Sequence, residues 1–287
     1  MYFPVSPRPL QMTAGLKRFG TDFGNGVHDH EFFQLDAERA RYLAAKRCAP
    51  AARRVLDVRD PAAAAARAAA LNWMREELGA RAPVVLREAA QDGAARDELD
   101  ALARALQEDL CVLHAGRDFA GSAALIDVRF PSGWRPERLA GADFNRIHGP
   151  VPGFPSDERA AQSMVRTMIE RGPFVRFVWT LSPDEQLDQH PDTPRASSWD
   201  RTDRVFLRVE RQITVPLTAA KASVFLIRVY HYAFEQLSVE QRACTLTALA
   251  AMPEELRLYK RLPTPAALQA ILARAPTDRG SERTHVA

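Results

Sequence analysis

The apolar positions change their period part-way along the chain. Over residues 36–110 they recur every three or four: Ala37, Ala40, Leu43 and Ala44, then Leu71, Met74 and Leu78, then Leu99, Leu102 and Leu106. That is the spacing of helices with one buried face. Three helices are expected. The first opens at Asp36 as N-cap and stops before Pro50; the second covers 61–79, with Pro61 in its first turn and Gly79 at its end; the third covers 96–110.

From Leu110 short apolar runs rich in β-branched and aromatic residues take over, at 110–115, 123–130, 174–181, 205–215 and 223–232. These read as strands. The connector 216–222 is short, so the last two pair antiparallel. Further helices are expected over 136–144, 157–170, 239–251 and 265–273. Residues 149–155 contain three prolines, which remove backbone donors and restrict their neighbours, so no regular element is expected there. The fold class is therefore α+β: an antiparallel sheet of about five strands, a helical N-terminal part and flanking helices. Residues 1–35, with Phe19, Phe23, Phe32 and Phe33 among prolines and glycines, read as an extended arm anchored by its aromatics. A single domain is expected over 36–275, and a disordered tail over 276–287.

Composition narrows the function classes. With 46% hydrophobic and 26% charged residues the chain builds an ordinary core. Its 39 basic and 36 acidic residues are interspersed, which argues against a nucleic-acid surface. No apolar run approaches the ~20 residues that span a bilayer, and the proline-containing start lacks a secretory pattern; a cytoplasmic location, with no membrane role, is expected. Cys48, Cys111 and Cys244 are far apart, so they suit buried free thiols better than a disulfide framework or a metal cradle. Glycine-rich nucleotide loops and the hydrolase elbow are absent.

Three segments carry candidate chemistry. His148 precedes the stiff Gly149-Pro150-Val151-Pro152 stretch. Both an axial ligand to haem iron and a hydrogen-bonded structural histidine answer that description. In the strand 205–215, alternation puts Phe206, Arg208, Glu210 and Gln212 on one face and Leu207, Val209, Arg211 and Ile213 on the other. Arg211 thus lies in an apolar row, either pinned by an internal carboxylate or facing an anion. Arg228 repeats the pattern beside Val224, Leu226 and Tyr230. His28, His30 and His190 read as surface-loop residues.

The succession PSGW (131–134), IHGPVPG (147–153), RF-W (176–179), LRVERQ (207–212) and FLIRVY (225–230), with GLKRF (15–19) and YLAAKR (42–47) ahead of it, resembles the alpha subunit of haem-dependent oxidative N-demethylases over residues 12–235. The resemblance implies a PAS-like curved sheet that holds haem b. It implies oxidation of a small methylated amine by dioxygen, with release of formaldehyde. Electrons would come from NADPH through a flavin and iron–sulfur reductase partner, and tetrahydrofolate-binding partner subunits would receive the formaldehyde. By position, His148 becomes the expected metal ligand, Arg211, Arg228 and Trp134 expected cofactor contacts, and Glu210 and Arg211 expected catalytic residues. Val178 stands where the family often has Asn, and Arg138 where Lys is common, which leaves the substrate open. A haem-binding gas or redox sensor on the same fold is the alternative.

Overall fold

A computed structural model describes residues 1–7, 15–154 and 157–274. The helical third folds as α1 (Arg39–Cys48), α2 (Pro61–Arg81), α3 (Pro83–Ala90) and α4 (Glu98–Ala105). In α2 the Asp60 side chain accepts from the Ala62 amide at 2.8 Å, and Pro61 takes the first turn, where its missing N–H costs nothing. Ala63, Ala66, Ala70, Met74 and Leu78 then form one fully buried stripe. Three of the five are alanines, so the helix lies close to the sheet. Gly79 does not end it. The helix runs to Arg81, and Pro83 breaks it there and opens α3. The first and third expected helices are shorter than their apolar spacing suggests. Asp36 serves the Glu38 amide (3.0 Å) and Gln107 (2.9 Å) instead of capping α1 directly, and the chain has already joined a strand by Asp109.

All five expected strands are present: β3 (Asp109–His114), β4 (Ser122–Asp127), β5 (Phe174–Ser182), β6 (Phe206–Leu217) and β7 (Ala222–Ala233). Two short ones add to them, β1 (Lys17–Arg18) from the arm and β2 (Arg54–Leu56). Among the described residues the antiparallel sheet therefore has seven strands, ordered β1-β5-β6-β7-β3-β4-β2, rather than about five. Segments of two and three residues are too short to show a period of two, so they leave no mark in the hydrophobic pattern. β6 and β7 form a long hairpin that pairs Phe206 with Ala233 at one end and Leu217 with Ala222 at the other.

The back face of this sheet is the apolar one. Leu110, Val112, Ile213, Val224 and Leu226 pack on α2, α3 and α4. Val205, Leu207, Val209 and Leu181 pack on α7 (Val239–Ala250), α8 (Glu254–Tyr259) and α9 (Pro265–Arg274). The arm closes the same side: Phe19 stacks on Phe32 at 4.1 Å, Phe32 and Phe33 meet Trp73, and Tyr2 lies 4.8 Å from Phe177.

The front face carries α5 (Phe144–His148) and α6 (Glu158–Glu170). The helix expected over 136–144 is only a 3-10 turn at Pro136–Arg138, and the helical segment follows it. Gly121 lets α6 approach. A Cβ there would lie 2.7 Å from Val165, and its φ of +70° is one that side chains avoid. The three cysteines are free, but Cys48 is exposed and the other two are half-buried, so the expected buried set is corrected. Among the described residues no helix is long and apolar enough to cross a membrane. The expected disordered tail lies outside the described residues.

Candidate functional site

Strand alternation places the site residues as the pattern dictated. In β6, Arg208, Glu210 and Gln212 face the front and Arg211 the back, and the β6–β7 register puts Arg211 directly opposite Arg228. The expected group is thereby split.

On the back, Arg211 donates to the carbonyls of Glu31 (2.8 Å) and His28 (3.2 Å), with the Phe19 ring 5.8 Å away. Arg228 pairs with Asp36 at 2.8 Å and lies over the Tyr42 ring at 4.0 Å. Both arginines are almost fully buried, and their hydrogen-bond partners belong to the arm or to the segment that joins it to α1. The structure places them on the other face of the sheet from His148, with which they were expected to share a site. An arginine in an apolar row needs acceptors; backbone carbonyls and one aspartate supply some, while Arg211 Nη1 and Arg228 Nε and Nη1 are buried without a hydrogen bond among the described residues.

On the front, α5 is a single turn. Asp143 caps it by accepting from the Arg146 amide at 2.7 Å, and Gly149-Pro150 follows it. A Cβ on Gly149 would lie 3.0 Å from the Asn145 carbonyl, so glycine suits the tight exit. His148 ends the turn half-buried. Its Nδ1 lies 2.9 Å from the Phe144 carbonyl. A carbonyl can only accept, so Nδ1 carries the proton and Nε2 the lone pair. The ring sits between Phe144, at 4.1 Å, and Phe154, stacked at 5.0 Å. Burial holds the imidazole pKa below its ordinary value, against the Phe144 bond and with help from Arg176. The result is a neutral, oriented imidazole whose Nε2 has no hydrogen-bond partner among the described residues.

Trp134 and Ile147 pack beside Ala123, Ile126 and Ile227 on the β4 and β7 part of the front face. Toward β5 and β6 the side chains of Arg176, Val178, Glu210, Gln212 and Phe225 on that face are only half-buried, and this strip is called the trough. Glu210 is held at both oxygens. Ser132 donates its hydroxyl to Oε1, and Gln212 donates from Nε2 to Oε2 at 2.8 Å. Ser132 in turn accepts from Arg208 Nε at 3.1 Å.

Arg208, fully buried, also donates to the carbonyls of Phe130, Gln186 and Leu187 and to His231 Nε2 at 3.2 Å. It thus fixes the two loops that flank the trough. Burial first, then the charge of Arg208, pushes the His231 pKa well below its ordinary value.

At the open edge of β5, beyond the two residues paired to β1, Lys260 donates to the Trp179 carbonyl at 2.8 Å. Burial lowers its pKa to about 8, opposed by Glu210.

The structure therefore brings Trp134 and Glu210 to the side where His148 sits. It adds Arg176, Ser132, Arg208 and Lys260, which sequence reasoning missed. Arg176 could have been found, because Phe174, Arg176 and Val178 also form an apolar row holding one arginine. His190 is another departure. It is buried, 2% exposed, and not a surface-loop residue. Its Nε2 meets both Glu137 oxygens at 3.2 Å and its Nδ1 accepts from the Asp192 amide. Glu137, His190 and Asp192 lie close enough for a cation, but Arg135 already pairs with Asp192 and the cluster satisfies itself.

The model of the family described as haem-dependent oxidative N-demethylase, alpha subunit-like, matches residues 25–266. The chain belongs to that family. The matched span contains α5, the trough and Lys260, so the whole front-face arrangement lies within the family's extent. No curated protein matches the chain. Membership makes this a haem-dependent oxidative N-demethylase-like protein, and the alpha-subunit description implies a multi-subunit enzyme.

Proposed function

We propose that this chain holds haem b over the front-face trough through His148 and oxidatively removes a methyl group from a small methylated amine. The observation that carries this reading is the state of His148: Nδ1 bonded to its own helix, the ring clamped by two phenyl groups, and Nε2 without a hydrogen bond among the described residues. A backbone-bonded Nδ1 is the usual way to fix the tautomer and direction of a ligating histidine. The flanking surface also suits a porphyrin, since Trp134, Ile147 and Phe225 offer apolar walls beside it. In this reading the front face of the sheet with α5 across it is a PAS-like haem pocket, and Arg211 and Arg228 fasten the arm without touching the cofactor.

Bound haem would supply the activation of dioxygen needed to oxidise an N-methyl carbon. The overall reaction balances when an N-methylamine, dioxygen, two electrons and two protons give the demethylated amine, formaldehyde and water. Methylated amines are cations near neutral pH, and Glu210 is the front-face carboxylate placed to attract one. Ser132 and Gln212 hold both of its oxygens, so it is presented in a single orientation. Arg208 keeps Ser132 turned toward it.

As the family resemblance implies, the electrons in this reading come from NADPH through a flavin and iron–sulfur reductase partner. A tetrahydrofolate-binding subunit is a suitable acceptor for the formaldehyde.

The test is formaldehyde release from dimethylamine by haem-loaded protein supplied with such a reductase and NADPH. Release is expected only with dioxygen and reductase both present. Release that persists without dioxygen, or none from any methylated amine, would overturn the reading.

A further inference from the structure

Two cations stand against one anion here, Arg176 within the trough and Lys260 beside it at the open edge of β5. Arg176 lies on β5 with Gln212 as its cross-strand partner, so Glu210 is its diagonal neighbour. The Arg176 guanidinium takes no hydrogen bond among the described residues, and Glu210 is the carboxylate whose charge reaches it. Lys260 uses one of its three N–H groups on the Trp179 carbonyl, and it too looks to Glu210 for countercharge. Both oxygens of Glu210 are meanwhile occupied by Ser132 and Gln212. Two positive groups with free donors thus face a single carboxylate, each of whose oxygens already accepts one neutral donor. Burial lowers the pKa of both cations, which marks the cost of keeping them there without a closer anion.

We infer that Arg176 and Lys260 form a carboxylate-binding pair at the trough. A guanidinium and an ammonium with free N–H groups are the donors that bind carboxylates by charge-assisted hydrogen bonds. Two molecules can bring that group here: haem, through a propionate, or an amine substrate that carries its own carboxylate, with its ammonium on Glu210. The first source rests on the haem reading above; the second does not depend on haem being bound.

The experiment titrates iron protoporphyrin IX and its dimethyl ester into the wild-type protein, Arg176→Gln and Lys260→Met, following the Soret band. If a propionate is the occupant, wild-type protein binds the free acid at least about tenfold more tightly than the ester. Each variant loses most of that preference, and Arg176→Lys restores part of it.

If acid and ester bind alike, N-methylglycine and dimethylamine are compared next by thermal shift, with and without haem. A shift with N-methylglycine that exceeds the dimethylamine shift, and vanishes in Arg176→Gln, supports the pair with substrate as occupant. A wild type that discriminates in neither comparison, or variants that discriminate as well as it does, overturns the inference. Failure of haem to bind at all would sink the haem reading and not this one, because the thermal-shift comparison on haem-free protein still decides it.

Discussion

Arg211 and Arg228 are cross-strand partners on β6 and β7, buried side by side on the face of the sheet that turns away from His148. Like charges at such a position repel unless each is answered locally. The Asp36 carboxylate answers Arg228, and the Glu31 and His28 carbonyls answer Arg211. The arm is therefore electrostatically bound to the back of the sheet.

Asp36→Asn tests that role. It keeps the shape of the side chain and removes the charge, leaving Arg228 without its hydrogen-bonded carboxylate and with Glu108 as a buried carboxylate whose charge still reaches it. Loss of one partner of a buried pair costs about 3–5 kcal/mol, and Asp36 is partly open to water, so a loss of roughly 1–3 kcal/mol is expected. Urea unfolding measures it, and limited proteolysis should cut the arm faster. The haem spectrum should not change. A spectral change would mean that the back face reaches the cofactor.

Glu210→Gln removes the one carboxylate of the trough that faces an incoming amine and leaves its size intact. The KM for a methylated amine should rise on the order of tenfold or more, with haem affinity little altered. Ser132→Ala should act in the same direction and more weakly, since it frees one oxygen of Glu210 without removing charge. Steady-state kinetics at fixed reductase separate the two. Unchanged KM in both variants would remove Glu210 from substrate binding.

His231 supplies a pH signature. Burial first, then the neighbouring Arg208, holds its pKa well below the ordinary histidine value, and its Nδ1 is buried without a partner among the described residues. The folded state thus favours the neutral ring, while the unfolded chain takes up a proton near pH 6.5. A depressed folded pKa gives stability that is present above that value and lost as pH falls below it. In His231→Gln the fall in stability between about pH 6.5 and 5 should be shallower, by at most about 1.4 kcal/mol per pH unit. His114, also depressed by burial, keeps part of the slope in the variant. Parallel curves for the two proteins would show that His231 is not held neutral.

Gly121→Ala checks the seating of α6 on the sheet. The new Cβ would meet Val165 at 2.7 Å from a backbone with φ of +70°. A loss of about 1–3 kcal/mol is expected from strain and overpacking together, read by thermal or urea unfolding.

Much of the fold was legible because strand alternation is local. The opposite orientations of Glu210 and Arg211 follow from adjacency in β6, and the five long strands follow from their β-branched runs. What each face meets was not legible. An arginine in an apolar row looks the same whether it faces the arm, as Arg211 does, or the trough, as Arg176 does. Lys260 lies just past α8 in a charged stretch that reads as surface, and only the open edge of β5 gives it a buried carbonyl to bind. His190 also reads as a loop residue until folding sets Glu137 against it. The end of α2 was misplaced because Gly79 is tolerated inside a helix, while Pro83 is not.

The most direct test of the haem reading is a titration of iron protoporphyrin IX into wild-type protein and His148→Ala, each with and without added imidazole. Wild-type protein should saturate at one haem per chain with the Soret band of a histidine-ligated iron. His148→Ala should lose or shift that band, and imidazole should restore it. An identical band and affinity in the variant would contradict ligation by His148.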